Sequence, residues 1–136
     1  MKNLFIDTNI VIDLLAKREP FYEEAAKLFS LADKNEVRLI VSSLTFANTH
    51  YILSKLNNSV SARDILTKFK VLVTVADLND KIIELSLNDK AFPDFEDGLQ
   101  YYSALENEAD IIITRNLKDY KSSKIPVITA QSFLTQ

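Results

Sequence analysis

The sequence predicts an α/β fold, a three-layer α/β/α sandwich around a central parallel sheet of four to five strands. Two observations carry that expectation. Short apolar runs of strand length alternate along the chain with segments of helical period, the pattern of a parallel sheet covered on both faces by crossover helices. No repeat, linker or low-complexity stretch interrupts the alternation, so the 136 residues read as a single domain spanning 1–136.

Leu4-Phe5-Ile6 is the first expected strand, and Ile10, Val11, Leu14 and Leu15 then recur at helical spacing. A second helix is expected to begin at Pro20 and to run through Phe21, Ala25, Leu28, Phe29 and Ala32. Arg38-Leu39-Ile40-Val41 reads as the second strand. Ser42 or Ser43 can cap the helix after it, which carries Phe46, Ala47, Tyr51 and Ile52 and stops near Asn57-Asn58. Ser61 to Phe69 is a further short helix, Val71-Leu72-Val73 the expected third strand, and Asp77 the expected opening of a helix with Ile82, Ile83, Leu85 and Leu87. Pro93-Asp94 marks a break, with Asp94 as N-cap of a helix to about Asn107. Ile111-Ile112-Ile113 is the fourth strand, Thr114-Arg115-Asn116 a polar turn, and Pro126-Val127-Ile128 a short fifth strand.

Composition excludes several chemistries. The chain has no cysteine, so disulfides, zinc fingers, iron–sulfur clusters and thiol nucleophiles are out. Gly98 is the only glycine, which leaves no nucleophile elbow, P-loop or dinucleotide fingerprint. His50, the only histidine, sits two residues past Asn48 in its helix and hence on another face, as a solvated or hydrogen-bonded side chain. There is neither a membrane-length apolar run nor a secretory signal, so the cytoplasm is the expected location. A net charge of −3 argues against binding nucleic acid by a bulk positive field. A local basic rim remains: Arg115, Lys118, Lys121 and Lys124 form either a solvated loop or an RNA-contacting edge.

Three carboxylates are the candidate site. In open parallel sheets the functional crevice lies beyond the carboxyl ends of the strands, where strand order reverses. Asp7 ends the first strand, and the Thr114 turn lies beside it if strands one and four are central neighbours. The plain reading of Asp7 is a helix cap, but Thr8-Asn9 could cap in its place. Asp94 and Asp97 share one face of a helix start, where acids also suit the dipole. Gly98 costs about 1 kcal/mol in a helix interior, which points to a close approach at that backbone. Tyr101-Tyr102 is the one aromatic pair to watch beside the crevice, since Tyr101 lies one turn beyond Asp97. Aspartates about 4 Å apart repel by roughly 4 kcal/mol at an effective dielectric near 20, so such a cluster wants a cation. Oxygen donors without His or Cys select Mg²⁺ or Mn²⁺, and such a site suits phosphodiester hydrolysis.

Four segments in order then resemble a known family: Phe5-Ile6-Asp7-Thr8-Asn9-Ile10, Ser43-Leu44-Thr45-Phe46-Ala47-Asn48, Asp94-Phe95-Glu96-Asp97-Gly98-Leu99-Gln100-Tyr101-Tyr102-Ser103-Ala104, and Ile113-Thr114-Arg115-Asn116-Leu117-Lys118-Asp119-Tyr120. Together they resemble the PIN domain, in the branch of toxin ribonucleases of VapBC toxin–antitoxin pairs. The resemblance implies a Mg²⁺- or Mn²⁺-dependent endoribonuclease acting on RNA, usually a homodimer, inhibited by an antitoxin protein that inserts a segment into the acidic site. It makes Asp7 and Asp97 the catalytic metal ligands and Asp94 an additional acid. Thr8, Asn9, Thr114, Asn116 and Asp119 become supporting positions, with Asn116 at the fourth acidic position. One residue departs from the pattern: where the family has a second acid, a Glu, this chain has Asn48, which removes one negative charge and metal affinity with it. The competing readings are a weakened PIN-like module that binds RNA or protein without cutting, and an aspartyl-phosphate enzyme. The second lacks the further acid that it needs near Asp7, where Asn9 stands.

Overall fold

The computed structural model describes residues 1–136. Five parallel strands form one sheet: β1 (Lys2–Ile6), β2 (Val37–Ser42), β3 (Thr74–Ala76), β4 (Ile111–Ile113) and β5 (Val127–Ile128), in the order β3-β2-β1-β4-β5. The helices are α1 (Thr8–Leu15), α2 (Tyr22–Asp33), α3 (Ser43–Leu56), α4 (Ser59–Lys70), α5 (Asp80–Asn88), α6 (Phe95–Glu106) and α7 (Ala130–Leu134), with a 3₁₀ turn over Leu117–Tyr120. No helix is long and apolar enough to cross a membrane.

Strand order reverses between β1 and β4, which pair Phe5 with Ile112 and Ile6 with Ile113. Their carboxyl ends therefore open into the crevice that this topology leaves uncovered. Alternation along the strands divides the core into two layers. Leu4, Ile6, Leu39, Val41, Ile111 and Ile113 face α1, α2, α3 and α4. Phe5, Ile40 and Ile112 face the other way, onto Phe92, Tyr101, Ala104 and Tyr120. The three-layer sandwich is as expected, and its strands are apolar on both sides because both sides are covered.

The boundaries differ from the sequence reading at several places. The third strand is Thr74–Ala76, not Val71–Val73. The amides of Val71, Leu72 and Val73 bond back to Lys68, Phe69 and Lys70, so the chain is still leaving α4 there, and Val71 is exposed. The ladder takes the next three residues because Ile40 pairs with Thr74. The second helix starts at Tyr22 rather than Pro20. The fifth opens at Asp80, because the Asn79 side chain caps the Ile82 amide at 2.9 Å. Finally, α4 starts at Ser59, capped by Asn58.

Candidate acidic site

Asp7 leaves β1 in an extended conformation and is itself the N-cap of α1, so Thr8 and Asn9 lie inside the helix instead of capping it. Asp7 is buried, and its carboxylate accepts hydrogen bonds on both oxygens. Oδ1 takes the Thr8 amide at 2.8 Å and Gln100 Nε2 at 3.1 Å; Oδ2 takes the Thr114 hydroxyl at 2.8 Å and Asn9 Nδ2 at 3.3 Å. Thr114, at the end of β4, also accepts the Asn116 amide at 3.0 Å, and Asn9 Oδ1 accepts the Arg115 amide at 3.3 Å. The ends of the two central strands are thus tied together through Asp7.

Asp94 is the N-cap of α6, accepting the Glu96 amide at 2.8 Å. One turn on, Asp97 enters the same crevice as Asp7, a hollow of about 330 Å³ that Asp94, Glu96, Asn48 and Asn116 also line. Asp94 and Asp97 form the wall between this hollow and a second of about 250 Å³, which Lys118, Asp119 and Lys121 border. Asp97 is half-buried and accepts no hydrogen bond from the protein. Its carboxyl is pushed up to about 7, first by burial and then by the charges of Asp94, Asp119, Asp7 and Glu96. Crowded like charges of this kind favour either a proton or a cation.

Asn48 lines the crevice, and its Nδ2 donates to Glu96 Oε1 at 3.0 Å, so a carboxylate from α6 stands beside the amide. No three acidic or histidine side chains converge closely enough to enclose an ion by themselves. The donors nevertheless suit a hard cation. Asp7 and Asp97 are two carboxylates with neutral oxygens around them, and Mg²⁺ binds through one or two carboxylates while keeping several waters. Asp7 meets that role with its acceptor positions already filled, and the bond to Asn9 is its longest.

Three sequence expectations change here. Arg115 is not a free RNA-binding side chain: Nε and Nη2 clamp the buried Asp13 at 2.7 and 3.1 Å, and the guanidinium lies 3.9 Å above the Phe21 ring. Lys118 and Lys121, from the same cluster, do remain exposed. Tyr101 is core, stacked on Phe92, with its hydroxyl accepting the Lys124 amide. Gly98 lies against α5 without requiring glycine, because a Cβ there would meet Ser86 Cβ at 3.4 Å and Phe92 Cβ at 3.6 Å, ordinary contact distances. His50 lies away from the crevice, with Nδ1 3.5 Å from the Ser54 hydroxyl.

Gln100 was not anticipated. Buried one turn after Asp97, it accepts the Ser42 hydroxyl at 2.6 Å and reaches Asp7, Thr8 and Thr45 through Nε2. Its spacing of three from Asp97 was the available signal. Arg18 at the crevice mouth and Tyr120 beneath the acids were also missed; both depend on where loops fold back, which periodicity does not encode.

The chain has relatives. The profile of the PIN domain matches residues 3–118. Ribonuclease VapC1 of Aquifex aeolicus (strain VF5) is 29% identical over 136 residues, covering 97% of this chain and 93% of that protein. Among solved structures, VapBC-1 from nontypeable Haemophilus influenzae superposes with a TM-score of 0.71 at 21% identity, covering 95% of this chain and 98% of the other. A toxin–antitoxin complex from Klebsiella pneumoniae gives 0.70 at 23%, covering 93% and 97%. The profile match runs from the first strand past the Thr114 turn and so takes in every acid of the crevice, and this protein belongs to the PIN domain family.

Proposed function

We propose that this protein is a metal-dependent endoribonuclease of the toxin type, hydrolysing RNA phosphodiester bonds at the crevice formed by Asp7 and Asp97. The observation that carries the reading is the crowding at Asp97, whose carboxyl is held near 7 by burial and four neighbouring acids at the switch point of the sheet. The likeness to a protein named ribonuclease VapC1 supports the same activity. Asp7 and Asp97 would hold Mg²⁺ or Mn²⁺, with Asp94 as a further acid at the rim. When bound, the cation supplies Lewis-acid chemistry, activating water and stabilising the leaving oxygen.

The chain's own groups do the rest. Gln100, Thr114, Thr8 and Asn9 fix the orientation of Asp7, and the bond from Asn9 is the longest of the four. Glu96, held at Asn48, restores the negative charge that Asn48 lacks. Asn116 and Asp119 border the acids from the β4 side. Arg18 at the mouth, with Lys118 and Lys121 at the adjoining hollow, offers cations to RNA phosphates on either side of the acids. The complexes among the structural neighbours support an antitoxin partner. Such a partner would present Arg or Lys to the acids, in a complex of homodimeric toxin.

The test is cleavage of a defined RNA by the purified protein with Mn²⁺, with Mg²⁺ and with excess chelator, alongside Asp7→Asn. We expect cleavage only with a cation and none from the folded variant. Cleavage that survives the chelator refutes the mechanism. RNA binding without cleavage would favour the alternative that Asn48 raises, a PIN domain that binds without cutting.

A further inference from the structure

Glu96 stands in the first turn of α6, where any acid suits the helix dipole. The dipole accounts for its charge but not for its partner. Glu96 Oε1 accepts Asn48 Nδ2 at 3.0 Å, a bond between α6 and α3 on the wall of the hollow that Asp7 and Asp97 also line. Glu96 is exposed, and a solvent-screened bond of this kind contributes little to holding the two helices together.

The contact fixes two orientations at once. With Oε1 engaged, the Glu96 carboxylate keeps Oε2 free, and with Nδ2 as the donor, Asn48 keeps Oδ1 free. Asp7 is the opposite case, because its two oxygens already accept from Thr8, Gln100, Thr114 and Asn9. An ion shared by Asp7 and Asp97 keeps several waters, and those waters need acceptors. No three acids converge closely enough to enclose an ion, so Glu96 serves it through the water shell and not by a direct bond.

We propose that Glu96, presented by Asn48, is the outer acid of the ion site: its carboxylate accepts from a water on the ion, and Asn48 is the positioning residue that holds it there. This rests on the functional reading above, since it requires an ion shared by Asp7 and Asp97. Loss of a partner in the outer shell of a metal site typically weakens affinity about 10- to 100-fold.

Calorimetric titration of Mn²⁺ into wild type, Glu96→Gln, Asn48→Ala and the double variant tests it, with Glu106→Gln as the control. Glu96→Gln keeps an acceptor for Asn48 and removes only the charge. Glu106 lies in the same helix but bonds Lys81 at 3.1 Å, outside both acidic hollows. We expect Glu96→Gln to bind Mn²⁺ at least about tenfold more weakly and Glu106→Gln to match wild type. Asn48→Ala should also bind more weakly, yet change nothing further when added to Glu96→Gln, because the two residues act as one unit. Equal affinity of Glu96→Gln and wild type, or an equal loss in Glu106→Gln, overturns the role of Glu96 and leaves the nuclease reading standing. Additive losses at the two positions overturn the presentation of Glu96 by Asn48. A wild type that takes up no Mn²⁺ overturns this proposal and the nuclease reading together.

Discussion

Replacing Asp97 by Asn should stabilise the ion-free protein by an amount that grows as pH rises above about 4 and is complete above 7. The folded carboxyl titrates at about 7 against an ordinary value of 3.8, because of burial and the four acids around it. Between those two values the native state keeps a proton that the unfolded chain has released, so stability falls as pH rises through the window and is lowest above 7. A shift of that size would be worth about 4 kcal/mol at 1.36 kcal/mol per pH unit. Asp97 is only half-buried, and solvent screening reduces the figure to ~1–2 kcal/mol. Asn also gives up the attraction of a carboxylate to the N-terminus of α6, about 0.3–1 kcal/mol. The net gain above pH 7 is therefore about 1 kcal/mol, or roughly 3–5 °C for a chain of this length. Circular dichroism melts of both proteins in chelator at pH 4 and pH 8 measure it. A variant no more stable than wild type at pH 8, or a gain as large at pH 4, would show that charge crowding at Asp97 is not what the geometry implies. Saturating Mn²⁺ should reverse the order, since an ion bound only by the native state stabilises wild type by about 2.7 kcal/mol at 100 times its dissociation constant.

Two further substitutions probe the site and its surroundings. Asn48→Glu places a carboxylate against Glu96 Oε1, where Asn48 now donates at 3.0 Å, so it should lower stability without metal and tighten Mn²⁺ binding. Equal calorimetric affinities would remove position 48 from the site. Arg115→Ala leaves Asp13, 1% exposed, as an unpaired buried charge, and should cost about 3–5 kcal/mol in urea unfolding. A cost below about 1 kcal/mol would mean that the clamp is unimportant.

The sandwich was legible in the sequence because its strands are apolar on both faces and its crossovers keep helical period. The Ile111 run and the Asp94 cap needed nothing beyond local chemistry. The third strand was not legible in the same way. Val71-Leu72-Val73 has the higher strand preference, yet the position of the chain after α4 and the register against Ile40 select Thr74–Ala76. Asp7 and Asp97 could be singled out because each stands where strand or helix chemistry exposes an acid to the switch point. Their surroundings could not. Arg115 looked like part of a basic cluster until the fold brought Asp13 against it, and Gln100 looked like any helical glutamine until β2 placed Ser42 beneath it. The sequence by itself placed Asp7, Asp94 and Asp97 at element ends, since those ends are set by residues close in the chain, and the strand order then brought them to one crevice. Tertiary structure alone decided which polar groups are satisfied: burial and hydrogen-bond geometry arise between elements up to 107 residues apart, as at Thr114 and Asp7, and no local pattern records them.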